Sequence, residues 1–158
     1  MAISSYIHSL RSRIGNDLLF LPAVSALIFN DNGEILLHQS SDDGRWYLIG
    51  GAMEPGEQPA DACAREVLEE TGLIVVPERL VGVYSSPKVV YPNGDQVNYV
   101  GIAFRCRVVG GQLHIADDES LDVRYFALDN LPELRPDQRI RIDHALQNGP
   151  AFFVPPNA

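Results

Sequence analysis

A chain of 158 residues with 46% hydrophobic content has room for one well-packed core and too little for two ordinary domains, so residues 1–158 are read as a single domain. Its formal net charge of -9 and pI of about 4.7 weigh against broad electrostatic binding to a nucleic acid polymer or an anionic membrane. A small phosphate ligand stays open, because it arrives with a divalent cation whose local charge outweighs the global balance.

The predicted elements begin with a short amphipathic helix from Ile3 to Arg11, which leans on the domain or on a second copy of the chain, so that a homodimer is compatible with it. Pro22 to Phe29 and Glu34 to Gln39 are strand-like, and Asn30-Asp31-Asn32-Gly33 between them is a hairpin signal. Trp46 to Ile49 leads into a Gly50-Gly51 turn. A helix is expected from about Pro59 to Thr71, since proline suits a first helical position and Gly72 a residue just beyond a helix end. Leu80 to Ser85 and Val97 to Val109 then read as strands, with Pro92-Asn93-Gly94-Asp95 as a tight turn before the second. Gly110-Gly111 reads as another hairpin turn into a short strand from Gln112 to Ile115, followed by a strand from Val123 to Ala127 and a helix from Pro136 to Gln147. Strands on both sides of an internal helix, with another helix at the end, make an α/β (α+β) fold: a mixed β-sheet sandwiched between helices.

The internal helix carries the chemistry. Ala62, Val67 and Leu68, with Ala60, Cys63 and Ala64, supply a candidate buried stripe. Glu66, Glu69 and Glu70 stand at i, i+3 and i+4, which puts three carboxylates on one face with Cβ atoms about 5–6 Å apart. Like charges at that spacing destabilise a bare helix, so they either splay into water or are drawn together by a cation. Hard oxygen ligands of this kind suit Mg2+ or Mn2+. A solvated acidic face is the bland alternative. It does not account for the turn-rich approach through Gly50-Gly51, Gly56 and Glu57, or for Arg65.

Residues 51–73 read GAMEPGEQPADACAREVLEETGL and meet every fixed position of G-x5-E-x7-R-E-U-x-E-E-x-G-U, where U is aliphatic. On that motif the chain resembles the Nudix hydrolases. The resemblance covers roughly Ala23 to Leu134 in organisation and is motif-specific over Trp46 to Leu73. It implies a Nudix-type α/β/α sandwich and a metal-dependent pyrophosphohydrolase. The substrate class it implies is a nucleoside diphosphate derivative, such as ADP-ribose or a nucleoside triphosphate, cleaved by water attack at phosphorus. It further implies that Glu66, Glu69, Glu70 and the Gly50 carbonyl hold the metal, that Arg65 and Glu57 buttress the loop, and that Glu66 is a candidate base. Other members use an acid from a later loop, for which Glu119 is the position of choice; its alternative is a surface acidic turn beside Asp117 and Asp118. One departure is Ile49, where many members have proline before the paired glycines: the loop loses a rigid φ but no chemical group.

Substrate identity is not written in a second motif. Trp46, Tyr84, Tyr91 and Tyr99 are candidates for stacking on a base or for ordinary core positions, and Arg45 and Lys88 for phosphate contacts or solvent-facing charges. His38, His114 and His144 are read as structural, and Cys63 and Cys106 as small core residues rather than a disulfide. A non-catalytic Nudix-like module that senses a nucleotide is the alternative function; the intact acid set and the lack of a DNA-binding segment favour the enzyme. The N-terminal sequence MAISSYIHSLRSRIGND lacks the long apolar core of a secretory signal, and no apolar run approaches the roughly 20 residues needed to span a bilayer, so the cytoplasm is the expected compartment and no membrane partner is expected.

Overall fold

The computed structural model describes residues 4–116 and 119–156. In chain order these form α1 (Ser5–Ile14), β1 (Leu19–Ile28), β2 (Ile35–Ser40), β3 (Trp46–Tyr47), α2 (Pro59–Thr71), β4 (Leu73–Ser85), β5 (Val89–Val90), β6 (Gln96–Gly111), β7 (Ser120–Phe126) and α3 (Pro136–Leu146). One sheet runs β1-β6-β4, with β1 parallel and β4 antiparallel to β6, and with β5 pairing the start of β6. The other is the antiparallel set β3-β2-β7.

Alternation along the strands divides the core between two faces. Val24, Ala26 and Ile28 of β1 and Leu36 of β2 gather with Cys63 and Val67 beneath α2. Leu27 of β1, with Ile35 and Leu37 of β2, gathers with Ile142 and Ala145 beneath α3. Sheets between helices are thus what the sequence predicts, with both faces of residues 24–28 and 35–37 buried. At the far end Ile7, Leu10 and Ile14 of α1 pack on Leu19, Leu21 and Val97, and Arg11 donates to the Gln96 carbonyl at 2.9 Å. The N-terminal helix starts and ends later than the expected Ile3 to Arg11, is capped by the Ser4 hydroxyl, and leans on its own chain.

Two local expectations are corrected. The turn at Asn30-Gly33 forms, with Gly33 N–H donating to the Asn30 carbonyl at 2.9 Å, yet β1 and β2 share only the Phe29–Ile35 bridge and part into different sheets. A two-stranded hairpin leaves a face in water, whereas Ile35, Leu36 and Leu37 are all fully buried and need cover on both sides. Gln112 to Ile115 is not a strand. Gly110-Gly111 ends β6 opposite Leu73-Ile74, and the segment beyond crosses the end of α2, where His114 N–H donates to the Thr71 carbonyl at 3.0 Å. The last carbonyls of a helix have no partner within it, and here the following chain supplies one.

Candidate active site

Pro59 opens α2 at its first turn, and Gly72 closes it in the left-handed conformation with φ of 70°, its N–H donating to the Leu68 carbonyl. The stripe that faces the core consists of Ala62, Cys63, Glu66, Val67, Glu70 and Thr71. Leu68, expected in that stripe, is half exposed, and two acids take the buried positions instead. Glu66 and Glu70 are 9% and 6% exposed, whereas the Glu69 side chain stands at the rim. Burying a carboxylate is unfavourable unless something pairs with it, so this inversion of the amphipathic rule marks the face.

The loop ahead of α2 meets that face through Gly50 and Gly51. Ile49 and Gly51 accept from the Ala26 and Val24 amides at 2.8 and 2.9 Å, which binds the loop to β1 and leaves the Gly50 carbonyl outside this ladder. Gly50 has φ of +146°, and a Cβ there would lie 2.1 Å from the Val24 carbonyl oxygen. Only glycine meets both conditions. At Gly51 a Cβ would lie 2.7 Å from the Glu66 carboxylate, so the missing side chain is the space that this acid occupies.

Arg65 ties the parts together. Its Nε and Nη2 donate to the two oxygens of Glu57 at 2.8 and 3.1 Å, and Nη1 donates to Glu66 Oε1 at 2.8 Å and Glu69 Oε2 at 3.0 Å. Nη2 also reaches the Ala52 carbonyl, and Glu57 in turn accepts from the Glu54 amide. The Arg65 guanidinium holds the Glu57 carboxyl below its ordinary range. At Glu66 burial dominates and pushes the carboxyl up, against the pull of Arg65 and with help from the charges of Glu69 and Glu119.

Glu119, just ahead of β7, is thereby near enough to Glu66 to act on its charge, and its carbonyl accepts from the Ser41 amide at 2.7 Å. His38 of β2 is the neighbour that sequence reasoning missed: its Nδ1 lies 3.8 Å from Glu70 Oε2 and 3.1 Å from the Ser120 hydroxyl. These contacts join residues 32 and 82 positions apart, a separation that no local pattern reports. His114 and His144 stand elsewhere, the first over Gly72 and the second hydrogen-bonded to Tyr84. Tyr91 and Tyr99 share a hydroxyl contact of 2.9 Å beside α1, and Lys88 donates to Gln96.

Among the described residues no three His, Cys, Asp or Glu side chains already close on one point as a metal cage would. Arg65 Nη1 lies between Glu66 and Glu69 and spans them as a monovalent cation does. The donor set still fits a hard divalent ion. It offers carboxylates on consecutive turns, a glycine cradle beside Glu66 and a backbone carbonyl outside the β1 ladder.

No described helix is long and apolar enough to cross a membrane. Cys63 and Cys106 are free, buried core thiols whose Sγ atoms stand 3.6 Å apart, and this contact pins α2 to β6.

The NUDIX domain profile matches residues 19–147. An ADP-ribose pyrophosphatase of Methanocaldococcus jannaschii is 39% identical over 114 residues, which are 71% of this chain and 64% of that protein. An 8-oxo-dGDP phosphatase of Homo sapiens is 36% identical over 115 residues, 69% of this chain and 33% of that protein. The chain therefore spans less than two thirds of the length of either relative. A solved structure of a MutT protein from Methanosarcina mazei Go1 superposes with a TM-score of 0.66 at 28% identity, covering 82% of this chain and 94% of that one. The sandwich, the loop-helix constellation and these similarities agree: the chain belongs to the Nudix hydrolase family.

Proposed function

We propose that this protein is a metal-dependent pyrophosphohydrolase that cleaves the diphosphate linkage of a nucleoside diphosphate derivative by attack of water at phosphorus. The observation that carries the reading is the pair of buried acids, Glu66 and Glu70, on a helix face closed by Gly50-Gly51. Two buried carboxylates on one helix face carry a desolvation cost, and they fit a site that receives cations together with phosphate oxygens.

In this reading Glu66, Glu69, Glu70 and the Gly50 carbonyl hold Mg2+ or Mn2+. Once bound, the ion neutralises phosphate oxygens and lowers the pKa of water. Glu57 fixes Arg65, and Arg65 holds Glu66 and Glu69 facing the loop. Glu66 and Glu119 are the two carboxylates proposed to take the proton from the attacking water. The substrates named for the relatives make ADP-ribose and 8-oxo-dGDP-like nucleotides the leading candidates, with nucleoside triphosphates next. A complete acid set favours hydrolysis over nucleotide sensing alone.

The test is a nucleotide panel incubated with protein and Mg2+ in 18O-labelled water, read out by identified products. Label on a phosphate product from a diphosphate substrate is the expected result. Label confined to a sugar carbon, or efficient cleavage of phosphomonoesters, overturns the reading.

A further inference from the structure

His38 stands on β2 at a position where strand alternation asks for an apolar side chain. It shares the face of Leu36, and its partner across the sheet is Val123; both of those residues belong to the core beneath α2. The His38 side chain is itself only 12% exposed. Burying an imidazole there costs free energy that leucine or valine would not, and such a departure from the local pattern is expected where a site uses it.

Two oxygens face its Nδ1. The Ser120 hydroxyl lies at 3.1 Å and Glu70 Oε2 at 3.8 Å, and Ser120 and Glu70 are buried in turn. A ring nitrogen turned toward a carboxylate and a hydroxyl favours the tautomer that carries its hydrogen there, so that Nδ1–H points at both oxygens. Ser120 opens β7 opposite Ser40 of β2, so the ring is held from within its own sheet while it addresses the helix.

The carboxylates of α2 are thus held by different means. Arg65 donates to Glu66 and Glu69, whereas Glu70 has the imidazole beside it. The last torsion of a glutamate is broad, so its carboxylate turns readily unless a neighbour limits it. An imidazole N–H limits that turn without adding the permanent positive charge of a guanidinium to a face that receives cations.

We propose that His38 is a positioning residue, which orients the Glu70 carboxylate toward a divalent cation from the β2 side. The inference rests on the metal-dependent hydrolase reading for the role of Glu70. Groups that orient a metal-ligating side chain from behind contribute roughly ten- to a hundred-fold to metal affinity or activity.

Titration of the substrate-free protein with Mn2+, followed by loss of the paramagnetic resonance signal of the free ion, reads affinity apart from turnover. His38→Leu suits the apolar face and should keep or raise the melting temperature while binding Mn2+ roughly ten-fold or more weakly. His38→Asn puts an amide where Nδ1 stood and should stay within about three-fold of wild type, whereas His38→Gln puts it where Nε2 stood and should lie nearer His38→Leu. In turnover, His38→Leu should need roughly ten-fold more Mg2+ for its half-maximal rate. Wild-type affinity in folded His38→Leu, or an Asn variant no better than the Gln variant, would overturn the proposal; if His38→Leu does not fold, the comparison of Asn with Gln decides alone. Wild-type protein that binds no Mn2+ would defeat the metal reading and the proposal together, whereas tight Mn2+ binding that His38→Leu leaves unchanged would defeat the proposal alone.

Discussion

Arg65 grips Glu57 with two nitrogens on two oxygens, at 2.8 and 3.1 Å, and so fastens the loop ahead of α2 to the helix that bears the acids. Lysine keeps the charge but has a single ammonium, and it cannot hold Glu57, Glu66 and Glu69 in one geometry. Arg65→Lys should lose about 1.5–3 kcal/mol of positioning, which corresponds to kcat lower by roughly ten- to a hundred-fold. Steady-state kinetics check this, and kinetics equal to wild type would show the buttress to be dispensable.

Glu66→Gln and Glu70→Gln test the acids themselves. Each should lower kcat by ~10²-fold or more while the melting temperature changes by only a few degrees, because the amide keeps the shape of the side chain and its capacity to accept from Arg65 or His38. Chelation of divalent cations should abolish turnover, and Mg2+ or Mn2+ should restore it. Near wild-type turnover of either variant on the best substrate would defeat the metal assignment.

The paired glycines should separate by readout. Gly50→Ala forces a Cβ against the Val24 carbonyl from a backbone with φ of +146°, at a cost of about 1–3 kcal/mol or more. For a chain of this length that lowers the melting temperature by several degrees, at about 2–4 °C per kcal/mol. Gly51→Ala meets only the far end of the Glu66 side chain, which can turn aside. Its stability should stay near wild type and its activity should fall; a stable, fully active Gly51→Ala would show that Glu66 has no fixed place in the reaction.

Alkali should act through the core. The Cys106 thiol is held far above its usual range, first by its contact with Cys63 and then by burial, and the Tyr99 phenol is raised by burial. A raised folded-state pKa means that stability is complete below the unfolded value, about 8.5 for a thiol and 10 for a phenol, and declines as pH climbs beyond it. Chemical denaturation should therefore show a flat plateau to about pH 8.5 and a fall above it. Neither cysteine should react with a thiol reagent at neutral pH until the chain unfolds. Fast labelling of the native protein would contradict the packing.

At acid pH the sign reverses for Glu57. Its carboxyl is lowered by Arg65, so the stability it contributes is present above the unfolded value of about 4.3 and is lost as pH falls through the folded one. Arg65→Met should remove this acid-side slope, a difference that denaturation curves between pH 2.5 and 5 would reveal.

Local signals made the centre of this protein legible. Pro59, Gly72 and the acid spacing gave α2 to the residue, and the turn signals at Asn30-Gly33 and Pro92-Asp95 both appear in the structure. What escaped was set at a distance. The separation of β1 and β2 into different sheets depends on burial demands met by α2 and α3, and the capping of α2 by residues 112–115 depends on where β6 ends. His38 had no motif to mark it, because its place beside Glu70 is set by a contact between residues far apart in the chain.

The attachment of the Gly50 loop to β1 also decides how that loop moves. β1 has β6 along one edge and residues 49–53 along the other, where the Val24 and Ala26 amides donate and Pro22 offers only its carbonyl, to Met53. A proline N terminal to the last of these bonds ends the ladder there, since it has no amide to extend it. The loop is therefore stitched on by a short seam of three bonds, at Pro22, Val24 and Ala26, and it leaves β1 only when they break together. Slow hydrogen exchange at those two amides would time the opening directly, on a scale set by the sheet rather than by loop fluctuations.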